Sequence, residues 1–350
     1  MLLTVKITQL ALHHFRNHPA TTVKLAPGVN LLVGPNAQGK TNLLEAIYLA
    51  CVGRGWRTSR DHEMIQFGQD SALVQVTAQK QFGTVDIAIK LGLGAKKSIA
   101  INQVPIAKVA ELMGQINCVF FSPDELKMVK EAPADRRRWL NIDLSQIDKT
   151  YFYALTRYNK ILLQRNAYLK NNADPRELAI WDEQLVTTGN VLITKRQQFI
   201  QQLTPYIIQK HQALTGNQEQ IGVTYETTQN FAKELAAARE RDTRLRTTTV
   251  GPHRDDLQIT INGQDVRLYG SQGQQRTVAL SIKLAELDLF TKLTGEAPIL
   301  LLDDVFSELD SSRQQRLLAA IAQTQTVITA TEPHEHGKIF HVKNGQVLPQ

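Results

Sequence analysis

The chain has few of the features that mark secreted, zinc-binding or membrane-spanning proteins. It contains two cysteines in 350 residues, Cys51 and Cys118, and each lies in a mostly apolar segment. Two isolated thiols argue against a disulfide framework or a zinc site. No apolar run approaches the roughly 18 residues needed to cross a bilayer. The N-terminal segment has His13, His14 and Arg16 where a signal peptide would have small residues. We therefore expect a soluble, cytoplasmic protein.

Internal repeats, low-complexity linkers and long heptad runs are also absent from the sequence, which argues against a solenoid or a long coiled coil. Hydrophobic residues make up 42% and charged residues 21%, which is typical of globular proteins. The formal net charge of +7 favours a polyanionic partner without identifying it.

A phosphate-binding motif, GPNAQGKT, occupies Gly34 to Thr41. It follows the apolar run from Val29 to Val33 and precedes a helical pattern of apolar residues, as a P-loop requires. We predict that Lys40 neutralises the β- and γ-phosphate oxygens and that the Thr41 hydroxyl binds magnesium. The predicted nucleotide-binding residues are Gly34, Pro35, Asn36, Ala37, Gln38, Gly39, Lys40, Thr41 and Asn42.

A second motif, LLLDD, is a buried strand pattern that ends in two acidic residues, Asp303 and Asp304. Buried carboxylates require a nearby cation or a proton. We predict that Asp303 is a magnesium ligand and that Asp304 polarises the attacking water as a catalytic residue together with Lys40. The alternative for either aspartate is a helix cap.

The third motif, SQGQQR, begins a helix at Ser271. A helix N-terminus attracts anions, so we predict that Ser271, Gly273 and Gln274 receive a γ-phosphate, which need not belong to the same chain. The alternative is an ordinary helix cap.

The order of these motifs, followed by SELD at Ser307 to Asp310, resembles the ABC-type ATPases of the SMC-like group. Four longer blocks resemble the RecF family of bacterial DNA repair proteins more closely. They are GPNAQGKTNLLEAIYLA from Gly34, RTSRDHEMI from Arg57, FSPDEL from Phe121 and GPHRDDL from Gly251. The resemblance implies an α/β ABC-type head with an inserted, mainly helical lobe and no coiled coil.

The same resemblance implies ATP and Mg²⁺ as cofactors and an ATP-dependent homodimer in which the signature loop, Ser271 to Arg276, acts across the dimer. It further implies binding to gapped duplex DNA at single-strand/double-strand junctions, partners of the RecR and RecO type, and no membrane partner. Two alternatives remain: a soluble subunit of an ABC transporter, and a purely structural SMC-like head.

The predicted domains are an N-terminal part of the ATPase lobe at 1–123, a helical lobe at 124–246 and a C-terminal part of the ATPase lobe at 247–350. Prolines at 133, 175 and 205 are expected to interrupt the helices of the second lobe. Further predicted elements are strands at 72–77, 84–89, 98–101, 299–302 and 327–330, and helices at 274–293 and 312–321.

Two departures from common ABC motifs predict slow hydrolysis. Ser122 and Pro123 stand where many such ATPases have a glutamine, so a sensor role for Gln115 is unsupported. Thr331 replaces the usual switch histidine, with His334 three residues further on.

Several polar residues have two alternative roles. Arg57, Thr58 and Asp61 approach either the nucleotide base or ribose, or form a surface turn. His253 and Arg254 touch either DNA phosphate or the lobe interface, while Asp255 and Asp256 pair locally. Three basic groups either face DNA or are solvated surface: Arg54, Arg57 and Arg60; Lys127, Lys130, Arg136, Arg137 and Arg138; Arg239, Arg241, Arg244 and Arg246. No base-reading element is evident, so we expect structure-selective DNA binding.

Overall fold

The computed structural model describes residues 3–171, 175–306, 311–333 and 337–349. The chain forms two compact units. Unit 1 comprises Met1–Glu125 and Leu280–Gln350, and unit 2 comprises Leu126–Ala279. Within the described ranges, no helix combines the length and the apolar character needed to span a bilayer.

The strands are β1 Leu3–Thr4, β2 Lys6–Phe15, β3 His18–Lys24, β4 Val29–Val33, β5 Ser71–Lys80, β6 Gly83–Gly92, β7 Ala95–Ile101, β8 Val104–Ile106, β9 Cys118–Phe121, β10 Ile221–Glu226, β11 Asp256–Ile261, β12 Gln264–Asp265, β13 Glu296–Ala297, β14 Ile299–Leu302, β15 Thr326–Ala330, β16 Lys338–Lys343 and β17 Gln346–Pro349. The α-helices are α1 Lys40–Val52, α2 Val109–Leu112, α3 Lys127–Lys130, α4 Pro133–Ile147, α5 Lys149–Lys170, α6 Pro175–Thr215, α7 Phe231–Ala237, α8 Arg239–Leu245, α9 Val266–Tyr269, α10 Gln272–Thr294 and α11 Ser311–Ile321.

The central sheet of unit 1 has the strand order β17-β16-β4-β15-β14-β9. All of its neighbours are parallel except β16 and β17. Every residue of β14 and β15 is buried, as expected for parallel strands covered on both faces. Val33 lies opposite Ala330, and Leu302 lies opposite Ile328 and Phe121. The carboxyl ends of four strands therefore meet at one edge, where α/β sheets commonly bind ligands.

The second sheet of unit 1 is antiparallel, with the order β3-β2-β5-β6-β7-β8. Buried and less buried residues alternate along β5 and β6, so one face of this sheet is apolar. Helix α1 contacts strands of both sheets, and every residue from Leu43 to Val52 is buried. This double packing anchors the helix that follows the phosphate loop, Gly34 to Thr41.

Unit 2 contains helices α3 to α9, the start of α10 and the three-stranded sheet β10-β11-β12. Helix α6 has 41 residues and packs against α4, α5, α7 and β10. Pro205 lies inside α6, so the expected interruption at this residue is wrong. A proline removes one backbone hydrogen bond from a helix, yet α6 continues through Pro205.

The predicted α/β fold class is confirmed, and each strand and helix predicted by range lies within or beside an observed element of the same type. Unit 2 extends to Ala279, beyond the predicted end of the helical lobe at residue 246. The reason is that β10 pairs with β11, for example Ile221 with Ile261. The division into lobes at 1–123, 124–246 and 247–350 stays a prediction.

Candidate functional site

The phosphate loop connects the end of β4 to the start of α1. Gly39 precedes the helix with φ +110°, a conformation that favours glycine. A Cβ atom at Gly39 would lie 2.6 Å from Asn17 Oδ1, and one at Gly34 would collide with the Val342 carbonyl oxygen. A side chain at either position would therefore clash, with the side chains of Asn17 and His18 at Gly39 and with the Val342 backbone at Gly34.

Lys40 is buried and folds back over the phosphate loop. Its Nζ donates to the carbonyl oxygens of Gly34 at 2.5 Å and Pro35 at 2.8 Å. Burial lowers the pKa of Lys40, while the nearby charges of Asp304 and Asp303 oppose this shift. The phosphate loop therefore holds the Lys40 ammonium group next to the position predicted for the phosphates.

Thr41 and Asp303 are in direct contact, although 262 positions separate them in sequence. The Thr41 hydroxyl donates to Asp303 Oδ1 at 2.8 Å, and the Thr329 hydroxyl donates to the same oxygen at 2.8 Å. The Asp304 backbone N–H donates to the Thr329 hydroxyl oxygen at 2.8 Å. Thr329 thus joins both acidic residues, and the motifs alone did not reveal its role.

The two carboxylates differ in environment. Burial raises the pKa of Asp303, opposed by the hydroxyls of Thr329 and Thr41 and by the charge of Arg57. Asp304 has φ +51°, a left-handed conformation that few non-glycine residues adopt. The two neighbouring acids therefore differ in backbone conformation as well as in environment.

A cavity of about 650 Å³ opens over the phosphate loop within unit 1. Its lining contains most of the predicted nucleotide residues and both predicted acids. The lining residues are Asn17, Asn36, Ala37, Gln38, Gly39, Lys40, Thr41, Asn42, Trp56, Arg57, Ser122, Pro123, Asp124, Asp303, Asp304 and Thr329. Gly34 and Pro35 contribute through their carbonyl bonds to Lys40 instead.

A clamp formed by Asn17, His18 and Gly345 holds the phosphate loop from outside. Asn17 Nδ2 donates to the Gln38 carbonyl at 3.0 Å, and the Gly345 N–H donates to the same oxygen at 3.1 Å. His18 lies between the Gly39 and Gly345 carbonyls, at 3.1 and 2.8 Å, and burial lowers its pKa. The sequence motifs did not indicate this clamp.

Arg57 lines the cavity and is fixed by the fully buried Glu45 of α1. Its Nη2 lies 2.5 Å from Glu45 Oε2, and the guanidinium lies 5.6 Å from the centre of the Trp56 ring. Arg16 pairs with the same carboxylate at 2.9 Å. Sequence analysis indicated Arg57 but missed Glu45, because a glutamate within an apolar helix gives no signal of its partners.

Thr58 and Asp61 are engaged elsewhere in unit 1. The Thr58 hydroxyl donates to Glu63 at 2.5 Å, and Asp61 pairs with Lys97 at 3.1 Å. Neither belongs to the cavity lining. Their alternative role as a surface turn fits these contacts better than nucleotide binding.

The signature loop begins α10 in unit 2. The Gln274 N–H donates to Ser271 Oγ at 3.2 Å, and Gln274 Oε1 accepts from the Ser271 N–H at 2.9 Å. This reciprocal pair is a capping box. Ser271 is exposed and Gly273 half-buried, and the cavity lining of unit 1 includes none of the three residues.

The remaining motif residues lie in several different places. Ser122 and Pro123 line the cavity, and Thr331 is exposed after β15. His253 lies in unit 2, where Nδ1 accepts from the Tyr158 hydroxyl at 2.6 Å and burial lowers the pKa of the imidazole to about 4. The SELD segment, Ser307 to Asp310, and His334 lie outside the described residues.

The two aspartates of the GPHRDD block pair locally within unit 2. Asp255 accepts from the Tyr225 hydroxyl and lies 3.6 Å from Arg196 Nη1. Asp256 pairs with Arg136 at 2.6 Å. Arg136 is therefore a buried structural residue and does not belong to a DNA-facing surface.

Comparison with known proteins assigns a family to this geometry. Residues 6–338 match the RecF/RecN/SMC N terminal domain. The DNA replication and repair protein RecF of Agathobacter rectalis is 43% identical over 97% of this chain and 98% of its own length. RecF of Symbiobacterium thermophilum is 40% identical over 98% of both chains.

Solved structures support the same assignment. The recombination mediator protein RecF bound to ATP has a TM-score of 0.94 and 33% identity, covering 100% of this chain and 99% of its own. The Smc head domain of Pyrococcus furiosus, at 16% identity and a TM-score of 0.61 over 99% and 96% of the two chains, shares the fold. The predicted ABC-type head is thus confirmed, and the chain belongs to the RecF family, within the RecF/RecN/SMC N terminal domain family.

Proposed function

We propose that the chain is an ATP-switched, dimeric DNA-binding protein of recombinational repair and replication-fork maintenance, with slow ATP hydrolysis. The observation that carries this proposal is the convergence of Lys40, Thr41, Asp303 and Asp304 around one cavity. It is supported by full-length similarity to proteins named for DNA replication and repair, including a recombination mediator of the RecFOR pathway solved with ATP. That similarity also disfavours the transporter alternative.

The phosphate loop is preformed for a nucleotide. Its N–H groups and the N-terminus of α1 favour a polyphosphate, and Lys40 exchanges its bonds to Gly34 and Pro35 for phosphate oxygens. Arg57, fixed by Glu45, supplies a second positive charge at the cavity wall. These groups bind and orient ATP.

The donor set of Thr41 and Asp303 suits magnesium, because Mg²⁺ prefers a few hard oxygen ligands. The cation supplies charge neutralisation on the transferring phosphoryl group when bound. Thr329 holds Asp303 in place for this role, and Asp304 orients the attacking water. Lys40 and Asp304 are the proposed catalytic residues.

In the proposed dimer, Ser271, Gly273 and Gln274 of one copy contact the γ-phosphate bound by the other. The exposure of Ser271 at the N-terminus of α10 supports this role, because a helix N-terminus attracts an anion. ATP stabilises such a dimer more than ADP does, since ADP lacks the phosphate that the signature loop contacts. Closure and opening of the dimer thereby follow the nucleotide.

The expected DNA substrate is a gapped duplex with single-strand/double-strand junctions, where the protein helps to load recombinase. The expected protein partners are mediators of the RecR and RecO type. Both expectations rest on family membership, and the pathway of the solved relative supports them.

The test combines two single variants that each damage one half of the shared site. Lys40→Ala removes phosphate binding, and Ser271→Arg blocks the signature loop. Each variant alone is expected to lose ATP turnover, and an equal mixture is expected to regain part of it, because mixed dimers contain one intact site. Molecular mass is measured in parallel with ATP and magnesium, with ADP and without nucleotide, each with and without gapped DNA.

A mixture as inactive as its components, or a monomer under every condition, contradicts the shared site. Turnover comparable to that of transporter ATPases contradicts slow hydrolysis. Equal dimerisation with and without gapped DNA contradicts the DNA-coupled part of the proposal.

A further inference from the structure

Helix α5 has an unusual charge composition. Its 22 residues include five basic residues and no acidic residue. Lys149, Tyr153, Arg157 and Lys160 follow each other at intervals of three or four, which places them on one helical face. All four are exposed, and Tyr153 retains 49% of its accessible surface. A solvated helix commonly alternates both charges for local pairing, and this helix does not.

The acidic residues near α5 are paired with other basic side chains. Arg165, on the buried face of α5, binds Asp182 at 2.7 Å and Asp242 at 2.8 Å. At the N-terminus of the helix, Asp148 pairs with Lys195 at 2.7 Å. In the part of the chain that the structure describes, Lys149, Arg157 and Lys160 form no ion pair. The exposed face therefore keeps its positive charge.

The spacing of the exposed charges suits a polyanionic strand. Lys160 lies eleven positions after Lys149, which corresponds to about 16 Å along the helix and spans several consecutive phosphates. Tyr153 lies between them, and an exposed aromatic ring flanked by cations is typical of surfaces on which an unpaired base stacks. None of these exposed residues belongs to the basic groups indicated by sequence.

We propose that the exposed face of α5 binds single-stranded nucleic acid: Lys149, Arg157 and Lys160 contact its phosphates, and Tyr153 stacks on one base. The inference rests on the proposed DNA-binding function and assigns a surface to it. Duplex DNA meets the same cations but offers Tyr153 no unpaired base.

The experiment measures the affinity of the full chain, with ATP and magnesium, for gapped and for blunt duplex DNA over a series of salt concentrations. Arg157→Glu with Lys160→Glu is expected to lower the slope of log affinity against log salt by about 1.4 to 1.8, because about two phosphate contacts are lost. The matched control is Lys90→Glu with Lys96→Glu, an equal charge change at exposed residues of unit 1. This control is expected to leave the slope unchanged.

Tyr153→Ala is expected to weaken binding to gapped DNA by about fivefold or more, to leave blunt duplex binding unchanged, and to be rescued by Tyr153→Phe. Thermal unfolding checks that every variant is folded. An equal loss on gapped and blunt DNA would overturn the stacking role of Tyr153.

Two outcomes separate this inference from the proposed function. A wild-type protein that binds no DNA overturns both. If the wild-type protein binds DNA and its salt dependence has the same slope as that of Arg157→Glu with Lys160→Glu, only the assignment of the α5 surface is overturned. Binding to anionic lipid vesicles is measured with the same variants. If the α5 double variant loses vesicle binding but keeps DNA binding, the face is assigned to a membrane surface instead.

Discussion

Replacing Thr329 by valine tests whether one hydroxyl organises the acidic half of the site. The substitution keeps the shape of the side chain but removes the donor to Asp303 and the acceptor for the Asp304 N–H. A hydrogen bond to a charged group contributes about 1.5–3 kcal/mol, and the part-buried Asp304 N–H also loses its partner. We expect a loss of about 3 kcal/mol in the stability of unit 1.

Thr329→Val should reduce ATP turnover more than it reduces nucleotide affinity. Mutation of a residue that orients a metal ligand typically lowers metal affinity or activity by about 10- to 100-fold. We therefore expect ATP turnover to fall by about that factor and the magnesium requirement to rise, while Lys40 and the phosphate loop still bind nucleotide. Turnover and nucleotide affinity are measured across a magnesium titration.

The matched control is Thr326→Val, on the same strand. Both threonines are buried, but the Thr326 hydroxyl donates to the Thr324 carbonyl at 3.1 Å, away from the acids. Thr326→Val should also lower the stability of unit 1, but it should leave ATP turnover near normal. Equal turnover in the two variants would refute the role assigned to Thr329.

Three other predictions concern the phosphate loop and unit 2. Gly39→Ala should weaken ATP binding at least about tenfold, because a Cβ would lie 2.6 Å from Asn17 Oδ1 at a positive φ; unchanged affinity by calorimetry would contradict this. The stability of unit 2 should fall as pH drops from 6.5 towards 4, since His253 has its pKa lowered to about 4 and the unfolded state takes up the proton first. His253→Gln should weaken this dependence of stability on pH, measured by urea unfolding with tryptophan fluorescence. An unchanged dependence on pH would show that His253 is not its cause. Arg165→Met should destabilise unit 2 by about 3–5 kcal/mol, because it removes the ion pair of the buried Asp242 and leaves Asp182 with Arg239 alone. A loss below 1 kcal/mol would show that the acids become protonated at little cost.

The motifs located most of the residues that line the cavity, because a phosphate loop depends on local backbone chemistry. A strand, a glycine-rich turn and a helix are contiguous in sequence. The residues that flank Gly34 to Thr41 therefore identified this segment as a phosphate loop. Asp303 was predictable for a similar reason, since two acids after an apolar strand must lie at the carboxyl edge of the sheet.

The supporting contacts were not predictable, because they join residues that only the tertiary fold brings together. Thr329, His18 and Glu45 are ordinary residues in sequence, and their partners are defined by sheet order and by the packing of α1 between two sheets. Arg136 shows the opposite error: a basic run suggested a DNA surface, but burial and Asp256 make this arginine structural. Charge alone does not distinguish an exposed cation from a buried one.

The clamp on the phosphate loop has a consequence for how the protein folds. His18 and Gly345 hydrogen-bond across 327 positions of sequence, and β4 pairs with β15 and β16 on either side. Contacts of such long sequence separation form slowly, because the chain must lose its loop entropy before they are made. During synthesis, β4 therefore emerges long before its two sheet neighbours, and its unpaired edges and apolar side chains require protection until β15 and β16 arrive.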